Sequence, residues 1–168
     1  WVHIENFSAW HNVPIGTKQN GMGGVDTEFK INSPLHVRHV TMLGEMVKKG
    51  LFTYAGRTNQ ADSKFQSGEC AMATISAGAL AGTVKAGKTD WELSFLPYHD
   101  DVKGAPQNSI IGGASLWVMG GKKPDEYKGV AKFFTFLSDT ARQAKLHQES
   151  GYLPITKAAY EKTIKDGF

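Results

Sequence analysis

Phe65-Gln66-Ser67-Gly68-Glu69-Cys70-Ala71-Met72-Ala73-Thr74-Ile75-Ser76-Ala77-Gly78 is the stretch whose reading decides the fold. Its first residues close a short helix expected over 59–68, with Ala61 and Phe65 turned inward. Cys70-Ala71-Met72-Ala73 is too short for a helix and reads as a small buried strand. Thr74 to Lys85 is alanine-rich and helical in character, though Gly78 and Gly82 interrupt it. A strand running into a helix through a polar corner is the basic step of an α/β fold.

Working outward, the remaining segments keep that mixed order without an internal repeat or low-complexity tract. The first thirty residues read as loop, punctuated by Pro14, Gly16, Gly21, Gly23 and Gly24. Ser33-Pro34 starts a helix, with serine as cap and proline at the first turn, where its missing N–H costs nothing. Val40, Leu43, Met46 and Val47 share one face of it, and Gly50 is a natural stop. Trp91, Leu93 and Phe95 alternate with Glu92 and Ser94, the periodicity of a strand that Pro97 closes. Tyr98 to Asn108 is a polar loop and the best boundary, dividing the chain into 1–108 and 109–168. Ser109 to Met119 is a nearly continuous apolar run, read as a buried strand with a bulge at Gly112-Gly113. Pro124-Asp125-Glu126 opens a strong helix carrying Val130, Phe133, Phe134 and Leu137 on one stripe. Ser138 is expected to cap a further helix ending before Gly151, and Thr156 a last one from Lys157 towards Asp166.

Composition bounds the function classes. The 168 residues are 40% hydrophobic and 21% charged, an ordinary globular balance that excludes a disordered tail. No apolar run approaches the roughly 18–20 residues of a bilayer span. Nineteen basic against sixteen acidic residues leaves a net charge of +3, too scattered for a nucleic-acid footprint. The pairs Lys48-Lys49 and Lys122-Lys123 read as solvated helix ends. The single Cys70 excludes an internal disulfide. The opening string Trp1-Val2-His3-Ile4 looks buried, and with no leading methionine it reads as a processed product or a piece of something longer.

Few motifs point to catalysis. Gly82-Thr83-Val84-Lys85-Ala86-Gly87-Lys88-Thr89 matches the phosphate-loop pattern, which would make Lys88 the centre of a nucleotide-hydrolysing module. That loop works only between a strand and a following helix. Here a helix precedes it and a strand follows, so a helix end and turn is the better reading. Gly21-Met22-Gly23-Gly24 lacks the last glycine and the helix of a dinucleotide fingerprint. His36 and His39 are three apart on a helix without a third ligand nearby, and read as exposed or half-buried side chains. Asp100-Asp101 reads as a solvated pair rather than a catalytic dyad, and Cys70 as a buried inert thiol. The nucleophile elbow Gly-x-Ser-x-Gly is absent. No enzyme, cofactor or metal site is expected.

Three segments suit holding an anion. At Ala73-Thr74-Ile75-Ser76-Ala77-Gly78, free N–H groups and the Ser76 hydroxyl favour a phosphate or carboxylate, or else Thr74 or Ser76 merely caps a helix. At Ile111-Gly112-Gly113-Ala114-Ser115, missing side chains let a ligand reach the backbone of Gly113, or else form a bulge. At Glu149-Ser150-Gly151-Tyr152-Leu153-Pro154, Tyr152 either offers its hydroxyl and ring to a ligand or anchors a core.

The Phe65–Met72 string, the Gly-Gly run, the phenylalanine-rich helix and Ser150-Gly151-Tyr152-Leu153-Pro154 together resemble the extracellular solute-binding proteins of ABC importers. Asn6-Phe7-Ser8-Ala9-Trp10-His11-Asn12 and Gly112-Gly113-Ala114 narrow the resemblance to members that take sn-glycerol 3-phosphate. It implies an α/β, two-lobe periplasmic-binding-protein type II fold of which this chain is part. Residues 1–108 would belong to one lobe, and 109–168 would cross back to the other. It also implies Ser76, Gly113 and Tyr152 as ligand-contacting positions, with further tyrosine, glutamate, tryptophan and arginine contacts outside these residues. The implied partners are sn-glycerol 3-phosphate, a glycerophosphodiester such as glycerophosphocholine, and the permease subunits of the importer, with no nucleic acid. The implied location is the periplasm.

Overall fold

The computed structural model describes residues 1–88 and 90–168. Its regular elements are helical. A π-helical turn, Val2–Asn6, runs into α1 (Phe7–Trp10). Then come α2 (Pro34–Lys48), α3 (Asp62–Gln66), a 3₁₀ turn Ala77–Ala79 leading into α4 (Leu80–Ala86), α5 (Pro124–Leu137), α6 (Thr140–Ser150) and α7 (Lys157–Lys165). The expectation of a loop-like start thus gives way to helical turns over residues 2–10.

Local chemistry fixes most helix starts. Ser33 Oγ accepts from the His36 N–H at 3.4 Å and Pro34 follows, so α2 begins where sequence places it. Thr156 Oγ1 accepts from the Ala159 N–H at the head of α7. At α5 the Glu126 carboxylate accepts from the Lys123 N–H at 2.9 Å, which joins proline in fixing the first turn. At α6 the cap is Asp139, which accepts from the Arg142 N–H at 3.0 Å, and not Ser138. A carboxylate there also meets the positive end of the helix.

The expected strands differ. Residues 70–73, 91–96 and 109–119 carry no ladder, and among the described residues the isolated antiparallel bridge Gly16–Phe29 stands in place of any sheet. Ile111, Leu116, Trp117 and Met119 are exposed, as are Leu93 and Phe95. Alternation or an apolar run signals a strand only when a neighbouring strand pairs with it, and these residues have none. Met72 is exposed and Cys70 half-buried, so the expected buried thiol is also corrected.

Two packed regions hold the molecule together. In one, α6 packs on α7 and on the Ala77–Ala86 turn and helix, with Ala79, Thr83, Gln143, Ala144, Ala159 and Thr163 buried. In the other, Phe7, Ser8, Trp10 and His11 of the first helical turns pack against His36 and His39 of α2. The buried side of α2 is therefore its histidines. Of the expected apolar face, Leu43 and Met46 are half-buried, while Val40 and Val47 are exposed.

Candidate ligand cradle and histidine cluster

Gly151 brings the C-terminal half of the site to the N-terminal half. It ends α6 in the left-handed region (φ 79°), where glycine alone avoids a steric penalty. It also touches the 3₁₀ turn directly. A Cβ there would overlap the Ala77 carbonyl oxygen and stand 2.6 Å from Leu80 Cβ. The next residue, Tyr152, is tied at both backbone groups. Its N–H donates to Ser150 Oγ at 3.2 Å, and its carbonyl accepts from His147 Nδ1 at 2.6 Å. Held so, the half-exposed tyrosine ring lies over Gly78. The point where a Gly78 Cβ would sit is 3.1 Å from Tyr152 Cζ, 3.2 Å from its hydroxyl and 3.4 Å from Ser76 Oγ.

Ser76 caps the 3₁₀ turn, its Oγ accepting from the Gly78 N–H at 3.2 Å. That bond uses a lone pair and leaves the hydroxyl proton free to donate. Gly113 (φ 116°) also approaches this ring, a Cβ there lying 4.0 Å from Tyr152 Cε1. Ser76, Gly113 and Tyr152, far apart in sequence, are thus brought to one aromatic ring. Sequence reasoning missed Gly78 and Gly151, although the breaks they make in helical runs were visible.

At the phosphate-loop match the structure agrees with the preferred reading of a helix end. Gly82 lies inside α4, Gly87 ends it in the left-handed region, and Lys88 follows exposed, so the segment offers helix-end carbonyls rather than N–H groups to an anion. Thr89 lies outside the described residues. Asp101 makes a forked pair with Arg38, with N···O distances of 2.6 and 2.8 Å. The guanidinium holds its carboxyl below the usual range.

A second cluster was not anticipated. His36 and His39, expected to be exposed or half-buried, are buried; His11 and His99 join them around the Phe7 ring, and His3 stacks on His39. The hydrogen bonds fix two of these rings as neutral tautomers. Ser8 donates to the Ile4 carbonyl and so accepts from His36 Nε2 at 2.8 Å, while Ser33 donates to His36 Nδ1 at 2.7 Å. His11 donates from Nδ1 to the Phe7 carbonyl and accepts the His99 N–H at Nε2. The other three form a chain: His99 Nε2 to His39 Nδ1 at 3.4 Å, His39 Nε2 to His3 Nδ1 at 3.2 Å, and His3 Nε2 to Thr74 Oγ1 at 3.0 Å. Burial, then the imidazoles of His3, His99, His11 and His36, depresses His39 to about 4. Burial also lowers His3, and lowers His36 with help from His11. His99 is lowered by burial and by Arg38 and His11, against Asp101 and Asp100. Among the described residues no group of three or more His, Cys, Asp or Glu side chains is arranged to hold a metal ion.

Two cavities lie outside the Ser76–Gly113–Tyr152 cluster. One of about 290 Å³ is bordered by Val13, Pro14, Phe29, Lys30, Asn32 and Ser33. One of about 30 Å³ sits between the histidines, Trp10, Thr74 and Leu96-Pro97. The three clustered residues therefore form an open face rather than a wall of either cavity.

Residues 3–167 match the bacterial extracellular solute-binding protein family, and the chain belongs to that family. Membership implies the periplasmic-binding type of fold. Among its relatives, a Pectobacterium atrosepticum protein named sn-glycerol-3-phosphate-binding periplasmic protein UgpB is 54% identical over all 168 residues. Proteins of the same name from Rhizobium meliloti and Salmonella typhimurium are 53% and 49% identical over the same span. The chain is covered completely in each case and spans 38% of the length of each relative.

Proposed function

We propose that this chain is part of the substrate-binding component of an ABC importer, which captures sn-glycerol 3-phosphate in the periplasm and delivers it to membrane permease subunits. Identity of 54% along the whole chain with a protein named for binding that ligand carries the reading. The grouping of Ser76, Gly113 and Tyr152 around one ring supports it. A phosphate monoester carries about −1.5 to −2 charge near neutral pH and several strong acceptor oxygens. The Ser76 hydroxyl, the Tyr152 hydroxyl and the Gly113 N–H are donors suited to such a group. The ligand is held and released unaltered.

In this reading the complete protein has two α/β lobes, and the segments at 70–73, 91–96 and 109–119 acquire their strand partners there. Ligand contacting both lobes favours the closed state, and the closed state docks on the permease. A glycerophosphodiester such as glycerophosphocholine is a second ligand if the cleft has room for its headgroup.

Calorimetry on the full-length protein tests this reading. A hydrogen bond to a charged partner is worth about 1.5–3 kcal/mol, so Ser76→Ala and Tyr152→Phe should each weaken sn-glycerol 3-phosphate binding about 10- to 100-fold. Unchanged affinity in both variants overturns the assignment of these residues.

A further inference from the structure

Gly78 is neither an assigned ligand position nor a conformational necessity. Its φ is not in the left-handed region, so its backbone would accept any L residue. The cap Ser76 and the start of the 3₁₀ turn would equally accept alanine there, and alanine favours the helical state over glycine. What glycine supplies is room. The position of its absent Cβ is within 3.4 Å of both the Ser76 and Tyr152 hydroxyl oxygens and 3.1 Å from Tyr152 Cζ. The two Tyr152 separations are tighter than an ordinary contact of about 3.5–4.0 Å, and the Ser76 one lies at its edge.

From this we propose that Gly78 is a positioning residue for the ligand site: its missing side chain lets the Tyr152 ring settle against the turn, so that the Ser76 and Tyr152 hydroxyls address one anionic group together. The inference rests on the reading of Ser76 and Tyr152 as ligand contacts. The surroundings decide which partner yields to an added methyl. Ser76 is fixed by its bond from the Gly78 N–H. The Tyr152 backbone is fixed by Ser150 and His147, and Gly151 is wedged against Ala77 and Leu80. The Tyr152 ring is half-exposed and free to turn outward. An added methyl therefore makes the ring give way by a few tenths of an ångström, away from the turn that carries Ser76.

The test is a double-mutant cycle in the full-length protein, with sn-glycerol 3-phosphate as titrant and thermal unfolding recorded alongside. Gly78→Ala should weaken binding about tenfold or more while its unfolding midpoint stays level or rises. In a Tyr152→Ala background the same substitution should change affinity less than twofold, because the ring it displaces is gone. Wild-type affinity in Gly78→Ala, or an equal loss in both backgrounds, overturns the role of Gly78 while leaving the function standing. No binding by the unmodified protein overturns both.

Discussion

Gly151 is the residue on which the geometry of the cradle turns, and its replacement should be costly in two ways. Left-handed backbone costs a non-glycine residue about 1–2 kcal/mol. An overlap of a Cβ with the Ala77 carbonyl oxygen adds an overpacking cost of about 1–3 kcal/mol. Urea unfolding of the full-length Gly151→Ala variant should show a loss of about 2–5 kcal/mol, in contrast to Gly78→Ala. His39 makes a pH prediction at the same scale. Its folded value, about 4, lies below the 6.5 of an unperturbed imidazole, so the unfolded chain takes up the proton first. The stability it contributes is complete above pH 6.5 and drains away as pH falls towards 4, amounting to about 2–3 kcal/mol from this ring. Chemical denaturation at pH 7.5, 6 and 4.5 should show that fall, and His39→Gln should flatten it. His3, His36 and His99 shift in the same direction and steepen it.

Among the elements, helices were legible and strands were not, for a physical reason. A cap or a proline at the first turn acts on the residues beside it, so Ser33-Pro34, Pro124 and Thr156 could be read directly. Even the error at α6 is one residue, Asp139 in place of Ser138. A strand is defined by a partner remote in sequence, and no alternation within Trp91–Phe95 reveals whether that partner is at hand. The buried face of α2 was misread because its apolar residues were counted and its histidines were not. Imidazoles can fill a core when every ring nitrogen has a partner, and that depended on Ser8, Thr74 and His99, far off in the chain. The candidate site residues came from the family resemblance, since Ser76 and Gly113 alone read rather as a cap and a bulge. Ser33 belongs to both worlds, capping α2 and donating to His36. Ser33→Ala should therefore cost more than Thr156→Ala. The expected losses are about 2–4 against about 1 kcal/mol, read from denaturant midpoints of the full-length variants.

At the scale of the whole molecule the governing quantity is uncovered surface. The chain exposes 12,932 Å², whereas a compact monomer of 18.3 kDa exposes about 8,100 Å². Much of the excess is apolar: Phe95, Ile111, Trp117, Met119 and Leu153 are each at least 70% exposed. Apolar faces of this extent mark surfaces made to be covered, and the relatives, of which this chain spans 38%, have the further length to cover them. The ligand energetics point the same way. Two or three charge-assisted hydrogen bonds supply about 3–9 kcal/mol before the cost of ordering the ligand is subtracted, while micromolar binding needs a net of about 8 kcal/mol. The 168-residue chain should therefore bind sn-glycerol 3-phosphate at least about 100-fold more weakly than the full-length protein. It should also associate with itself and bind a hydrophobic dye that the full-length protein leaves alone. Calorimetry, light scattering and dye fluorescence on the two polypeptides measure these differences. Equal affinities would mean that Ser76, Gly113 and Tyr152 carry the whole site, and that the open face described above needs no second wall.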